Sequence, residues 1–306
     1  MVEELKIINL TKVYPNGKKA NDSINITVQK GKVVGIIGPN GAGKTTLIRQ
    51  ILGLLAPTSG RIEIFGEDIS KKPWLIKENI SYAPQTILYY PSLTVKETIE
   101  FALRFRGYRG KELSNKLKES LNYSGLEQVK NFSGYQLSPG LARLLLISIA
   151  FTQDTPILIL DEPTSMLDIV TKTHIWKIIS ELNNKVVLIA SHDMNEIRKL
   201  CHRVYLIING KIIAEGSPED ISTIMKMPIE ITFIPVNSDK AEKVVLYAKP
   251  IAFEKEENVF NVAFENLNEG IDFIKEINSC SGIRYLQLES PSFEKTVLKL
   301  MEGRNG

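Results

Sequence analysis

The sequence predicts an α/β protein built on a mostly parallel sheet, followed by a small α+β domain. Three observations point there. Short apolar runs alternate with helical patterns up to about residue 215, a helical stretch interrupts them from about 88 to 150, and a separate β-α-β-β-α-β order begins near 228. Val33 to Ile37 (VVGII), Ile157 to Leu160 (ILIL) and Val186 to Ala190 (VVLIA) lack the alternation of half-exposed strands. Runs of that kind suit strands covered on both faces, as in a parallel sheet.

The helices between them follow from spacing. Leu47, Ile48, Ile51, Leu52 and Leu55 make one apolar helical face, and Ile175, Ile178, Ile179 and Leu182 make another. From Leu88 to Ala150 strand signals fade, and Thr94 to Arg104 and Lys111 to Tyr123 read as helices of an insertion. Val204 to Ile208 and Lys211 to Glu215 flank Asn209-Gly210, a two-residue hairpin turn. Ser217-Pro218-Glu219-Asp220 opens a short helix, with a capping residue and proline in its first turn.

A boundary near Pro228 gives domains of 1–227 and 228–306. In the second, Ile229, Ile231 and Phe233 alternate as a strand, and Ala241, Val244, Val245 and Ala248 suit a helix. Strands follow at Pro250 to Glu254 and Val259 to Phe264. A helical stripe at Leu267, Ile271, Ile274 and Ile277 then precedes a strand at Ile283 to Leu288. This is the ferredoxin-like split pattern, with a closing helix expected from Ser290-Pro291.

Composition narrows the function. The chain has 306 residues, 43% hydrophobic and 24% charged, ordinary for a globular protein. A formal charge of +3 is too small for a nucleic-acid footprint, so no nucleic-acid partner is expected. Cys201 and Cys280 are far apart, which argues against a disulfide framework and fits a reducing compartment. The opening MVEELKIINL has no signal-peptide pattern, and Leu144 to Phe151 falls far short of the roughly 20 apolar residues of a spanning helix. The expectation is a cytoplasmic protein that does not cross a membrane by itself.

Gly38 to Thr45 reads GPNGAGKT, a full match to GxxxxGK followed by Ser or Thr, set between an apolar strand and an amphipathic helix. Glycines let the backbone amides of Gly38, Pro39 to Ala42 and Gly43 curl around phosphates, proline itself having no N–H, and the helix amino terminus adds a favourable dipole. Lys44 would reach the β- and γ-phosphates and the Thr45 hydroxyl would bind Mg²⁺, with Asn40, Gly41 and Thr46 alongside. The second apolar strand ends in Asp161-Glu162, where ligands sit in open α/β sheets. Asp161 suits the Mg²⁺ shell, and Glu162 the base or water-polarising group.

With these motifs the sequence resembles the ABC family of ATPases over about residues 3 to 227. The resemblance implies a P-loop NTPase core with an antiparallel β subdomain, binding ATP with Mg²⁺. It implies that Tyr14 in LTKVY stacks on adenine, that Gln85 in SYAPQ touches Mg²⁺ and the attacking water, and that His192 in ASHD contacts the γ-phosphate. Ser165-Met166-Leu167-Asp168 resembles the loop that crosses the dimer interface, while Asp168 equally reads as a helix cap. Two frames compete for the Leu-Ser-Gly-Gly-Gln segment of the family, one at Ser133 and one at Ser138. Spacing favours Ser138, about 23 residues before Asp161, with Gly140 as the backbone contact. Pro139 and Leu141 depart from the family pattern, and Arg143 stands in for a nearby basic residue.

The same resemblance implies half-sites completed in a head-to-tail homodimer or heterodimer, working with separate multi-spanning permease subunits on the inner face of the cell membrane. GPNGAGKTTL, PTSGRIEIFG, LTVKETIEF and the PSFEKTVLKLMEG ending look most like the subfamily that exports drugs, antibiotics, lipids or small ions. Arg104, Arg106, Arg109 and Lys111 read as a solvated basic face, or one turned to anionic lipid or a permease.

Overall fold

A computed structural model describes residues 4–86, 90–165, 167–224, 228–289 and 292–302. The chain divides into two compact units, Met1–Pro218 and Glu219–Gly306. The first begins with β1 (Glu4–Val13), β2 (Lys19–Gln29), β3 (Val33–Ile37), α1 (Lys44–Ile51), β4 (Ser59–Ile64), β5 (Glu67–Asp68), α2 (Trp74–Asn79) and β6 (Ile80–Ala83). Helices α3 (Val95–Phe105), α4 (Gly110–Ser124) and α5 (Pro139–Thr152) follow. Then come β7 (Ile157–Asp161), α6 (Ile169–Ser180), β8 (Val186–Ala190), α7 (Met194–Leu200), β9 (Arg203–Ile208) and β10 (Lys211–Gly216).

Every residue of β3, β7 and β8 is buried, as their unbroken apolar runs require. They lie in a six-stranded sheet of order β10-β9-β3-β8-β7-β6, parallel except for the β9-β10 hairpin. Asn209 and Gly210 turn that hairpin with φ of 49° and 77°, values that Asn-Gly adopts readily. A second, antiparallel sheet has the order β2-β1-β4-β5. Apolar side chains of both sheets and of α1 meet in one core that includes Leu5, Ile26, Ile36, Leu47, Ile159 and Leu188.

Local chemistry sets the helix ends. Thr94 and Glu97 form a reciprocal capping box at the start of α3, with Glu97 N–H to Thr94 Oγ1 at 3.2 Å and Thr94 N–H to Glu97 Oε2 at 2.8 Å. The apolar face expected to run from Leu47 to Leu55 is shorter than its spacing suggests. Helix α1 stops at Ile51, and Gly53 turns the chain with φ 67°, so Leu55 lies beyond the helix. The start of the insertion, Leu88, is outside the described residues.

The basic segment on α3 and α4 is not a uniform solvated face. Arg106 turns inward, donating to Gln153 Oε1 at 2.7 Å and Ile80 O at 2.9 Å, and to the Lys77 carbonyl. Arg104 pairs with Glu100 one turn away.

Helix α8 (Pro218–Ile224) leads into the second unit, whose elements are β11 (Ile229–Pro235), α9 (Ser238–Ala248), β12 (Ala252–Glu256), β13 (Val259–Phe264), α10 (Leu267–Ser281), β14 (Ile283–Glu289) and α11 (Phe293–Glu302). The antiparallel order β12-β13-β11-β14 is the ferredoxin-like arrangement. Phe233, Phe260 and Phe273 fill its core, with Phe233 5.2 Å and 5.6 Å from the other two ring centres. The division between units falls ahead of Pro228 because α8 is tied to α11 of the second unit. Ile221 is fully buried, and Thr296 of α11 donates its hydroxyl to Ser222 O at 3.2 Å. The helix opening read at Ser290-Pro291 lies outside the described residues.

Candidate active site

Strand order builds the site. With β3, β8, β7 and β6 side by side and parallel, their carboxyl ends share one edge, where ligands of open α/β sheets bind. Four loops leave that edge in a row: the Gly38–Thr45 loop after β3, His192 after β8, Glu162 after β7 and Gln85 after β6.

The first loop wraps its own lysine. Lys44 Nζ donates to Gly38 O at 2.6 Å and Pro39 O at 3.2 Å, and the residue is 8% exposed. Burial lowers its pKa, against the opposing pull of Glu162 and Asp161. The loop is braced from outside by Asn21 Nδ2 to Gly43 O at 3.2 Å and by Gly210 N–H to Ala42 O at 3.0 Å. Gly43 has φ 110°, and a Cβ there would stand 2.2 Å from Ala20 O. Both strain and overlap therefore oppose any side chain. Gly43→Ala is expected to lower stability by roughly 2–4 kcal/mol, read from urea unfolding, because the colliding atom is backbone.

The acidic pair is held from several sides. Asp161 is buried, and burial followed by the neighbouring Glu162 charge raises its pKa. Tyr82 donates its hydroxyl to Asp161 Oδ2 at 3.4 Å. Its own pKa is pushed up to about 12 by burial and that carboxylate. Glu162 takes φ 51°, a left-handed conformation that costs a non-glycine residue roughly 1–3 kcal/mol. Its N–H donates to Ala190 O at 2.8 Å, tying the turn to β8. His192 Nδ1 stands 2.6 Å from Glu162 Oε2, so the imidazole orients the carboxylate.

Tyr14, the loop from Asn40 to Thr46, Gln85, Asp161 and Glu162 line one cleft. Tyr14 is anchored at its mouth, its hydroxyl 3.3 Å from Thr46 Oγ1. Among its oxygen donors are the Thr45 hydroxyl, the Gln85 carboxamide and the Asp161 carboxylate. Mg²⁺ fits such a set, since it is held through few protein oxygens, one or two of them carboxylates, and completes its shell with phosphates and water. Among the described residues no group of three or more His, Cys, Asp or Glu side chains could form an all-protein metal cage.

Ser138, Gly140 and Asp168 do not line that cleft. Ser138 caps α5, its hydroxyl accepting from Leu141 N–H at 3.3 Å, with Pro139 at the first helical position. The competing frame at Ser133 instead folds into a short 3₁₀ turn, Gly134–Gln136. Asp168 caps α6 by accepting from the Val170 and Thr171 amides, both at 3.0 Å. These bonds, with that from the Thr171 hydroxyl, hold its pKa down. Gly140 lies beside this cap, a Cβ on it being 3.5 Å from Thr171 Oγ1. Met166 is outside the described residues.

The burial of two charged groups at the site was not legible in the sequence. Arg143 reaches the loops after β6 and β7, and its signal was a lone charge within the apolar run from Leu141 to Ala150. Glu196 is fully buried and accepts from Thr164 Oγ1 at 2.6 Å and Trp176 Nε1 at 3.2 Å, joining the loop after β7 to α7. Nothing in the pattern of MNEIRKL marks it as buried.

A family profile described as ABC transporter matches residues 21–165. Nod factor export ATP-binding protein I of Cupriavidus metallidurans is 30% identical over 302 residues, spanning 98% of each chain. The chain belongs to the ABC transporter ATP-binding family. The retinal-specific phospholipid-transporting ATPase ABCA4 of mouse is 33% identical over 220 residues. That match takes in 71% of this cassette and only 10% of the mouse protein, so the chain spans a small part of some of its relatives. Among solved structures, the ATP-binding cassette MJ0796 in a dimeric post-hydrolysis state, bound to ADP and Pi, superposes with a TM-score of 0.63 at 29% identity. It covers 70% of this chain and 98% of its own. The profile match runs from β2 through the loop after β7, so this ABC cassette carries its phosphate loop and acidic pair inside the matched region.

Proposed function

We propose that the chain binds and hydrolyses ATP as one half of a head-to-tail dimer, and that hydrolysis drives export of a substrate by separate membrane subunits. One observation carries the hydrolytic reading. Glu162, in a strained turn and held by His192 at 2.6 Å, stands at the edge of the phosphate-loop cleft. In this reading the loop amides and Lys44 hold the β- and γ-phosphates and Tyr14 supplies a face for adenine. Glu162 takes a proton from the attacking water that Gln85 and His192 help to place. Thr45, Gln85 and Asp161 would hold Mg²⁺, which supplies charge neutralisation on the phosphates. Ser138 and Gly140 of the second copy would complete each site, Asp168 lying beside them.

ATP then stabilises the closed dimer through contacts that ADP lacks, so hydrolysis releases it. Phosphate release by the purified chain, dependent on Mg²⁺ and lost in Glu162→Gln, tests the reading; turnover that survives the substitution contradicts it.

No helix among the described residues is long and apolar enough to cross a membrane. Separate membrane subunits, with this chain peripheral on the cytoplasmic face, suit that feature. A groove of about 620 Å³ between core and helical insertion, lined by Ile76, Tyr90, Phe101, Phe105 and Ile149, supports a docking place for them. Its aromatic wall is continuous, with Phe101 5.8 Å from Tyr90 and 4.8 Å from Phe105, and Phe105 is 78% exposed. A charge placed there should reduce recovery of the membrane subunit in a co-purification by about tenfold for Phe105→Glu, with ATP binding unchanged. Undiminished recovery would remove the groove from the proposal. The export direction draws on the full-length likeness to a Nod factor export protein.

A further inference from the structure

Arg143 is a guanidinium inside the apolar helix α5, and its residue is 3% exposed. All of its hydrogen bonds end on backbone carbonyls. Nε donates to Pro163 O at 2.9 Å, and Nη1 to Gln85 O at 3.1 Å and to Pro84 O. Nη2 donates to Asp161 O at 2.6 Å and to Glu162 O. Among the described residues no carboxylate forms an ion pair with it.

The five acceptors come from two separate segments, the loop after β6 that holds Gln85, and the last residue of β7 with the loop after it that holds Glu162. A guanidinium is a planar, rigid fork of five N–H donors, so saturating it fixes both loops in one geometry relative to its helix. A lysine, with three donors on a flexible stem, does not reproduce that fork. Burying a charge among carbonyl dipoles carries a desolvation penalty that an apolar side chain in the same helix would avoid. The helix is also capped by Ser138, and Glu162 O, one of the clamped atoms, belongs to a residue with left-handed φ.

We propose that Arg143 is a positioning residue for hydrolysis, fixing the Gln85 and Glu162 loops together to the helix that presents Ser138 to the second copy. The inference rests on the hydrolytic reading above, so wild type and Glu162→Gln are assayed first; that reading fails on its own terms if they hydrolyse ATP equally.

The test uses the full chain carrying Arg143→Gln or Arg143→Lys. Fluorescent-ATP titration, kcat, KM and thermal unfolding are measured in each, and ATP-dependent dimerisation is measured in a Glu162→Gln background. Misplacing reacting groups by about an ångström costs on the order of 100-fold in rate. Arg143→Gln is expected to lower kcat by about 100-fold, and Arg143→Lys by about tenfold. Nucleotide affinity should stay within about threefold of wild type, and the trapped dimer should still form. A folded Arg143→Gln with kcat within about threefold of wild type overturns the proposal. So does loss of affinity and dimerisation in step with activity, which marks a purely structural role. If Arg143→Gln does not fold, Arg143→Lys decides by the same split between rate and affinity.

Discussion

Glu162→Gln should reduce ATP turnover by about 10³-fold or more, equivalent to about 4 kcal/mol of transition-state stabilisation. The substitution keeps the shape of the side chain and an oxygen for His192, whose Nδ1 lies 2.6 Å from Glu162 Oε2. What it removes is the negative charge and the capacity to accept a proton from water. ATP affinity should therefore stay within a few-fold of wild type, and the complex should accumulate as an ATP-dependent dimer. Phosphate release reads the first effect and light scattering after size exclusion reads the second. Undiminished phosphate release would reject Glu162 as the proton acceptor.

Lys44→Ala acts at the other end of the same phosphate chain and should weaken ATP binding by about 100-fold, or about 2.7 kcal/mol. The ammonium lies within the curve of the loop, donating to Gly38 O and Pro39 O, with little solvent contact. A charge-assisted bond from that position to a phosphate is shielded from water and so is strong. Alanine also leaves two loop carbonyls without their donor, which costs stability in addition. Fluorescence titration with an ATP analogue checks the affinity, and circular dichroism separates that loss from unfolding. Wild-type affinity in a folded Lys44→Ala would show that the loop does not hold phosphate.

Much of this was legible in the residues. The three unbroken apolar runs became the three fully buried strands, because only strands covered on both faces tolerate such runs. The Asn209-Gly210 turn was readable because it depends on two residues of local chemistry. Leu55 was misassigned to a helix because hydrophobic spacing does not register a chain reversal, here set by Gly53. The inward turn of Arg106 depends on Gln153 and Ile80, far away in sequence, so no local pattern carries it.

The same limit explains the site. GPNGAGKT and ILILDEP announce a phosphate loop and an acidic strand end, because strand, loop and helix are contiguous there. The contact of His192 with Glu162 depends on strand order, which places β8 beside β7. The clamp made by Arg143 escaped because its partners are carbonyls, and backbone acceptors leave no trace in residue identity.

The decisive measurement is a structure of the full chain carrying Glu162→Gln, formed with ATP and Mg²⁺. The account predicts a dimer in which the triphosphate lies against the amides of Gly38–Thr45, with residue 162 facing the γ-phosphate. Ser138 of the second copy should close over that phosphate. An empty loop, or a closed dimer with residue 162 turned away from the nucleotide, would contradict it.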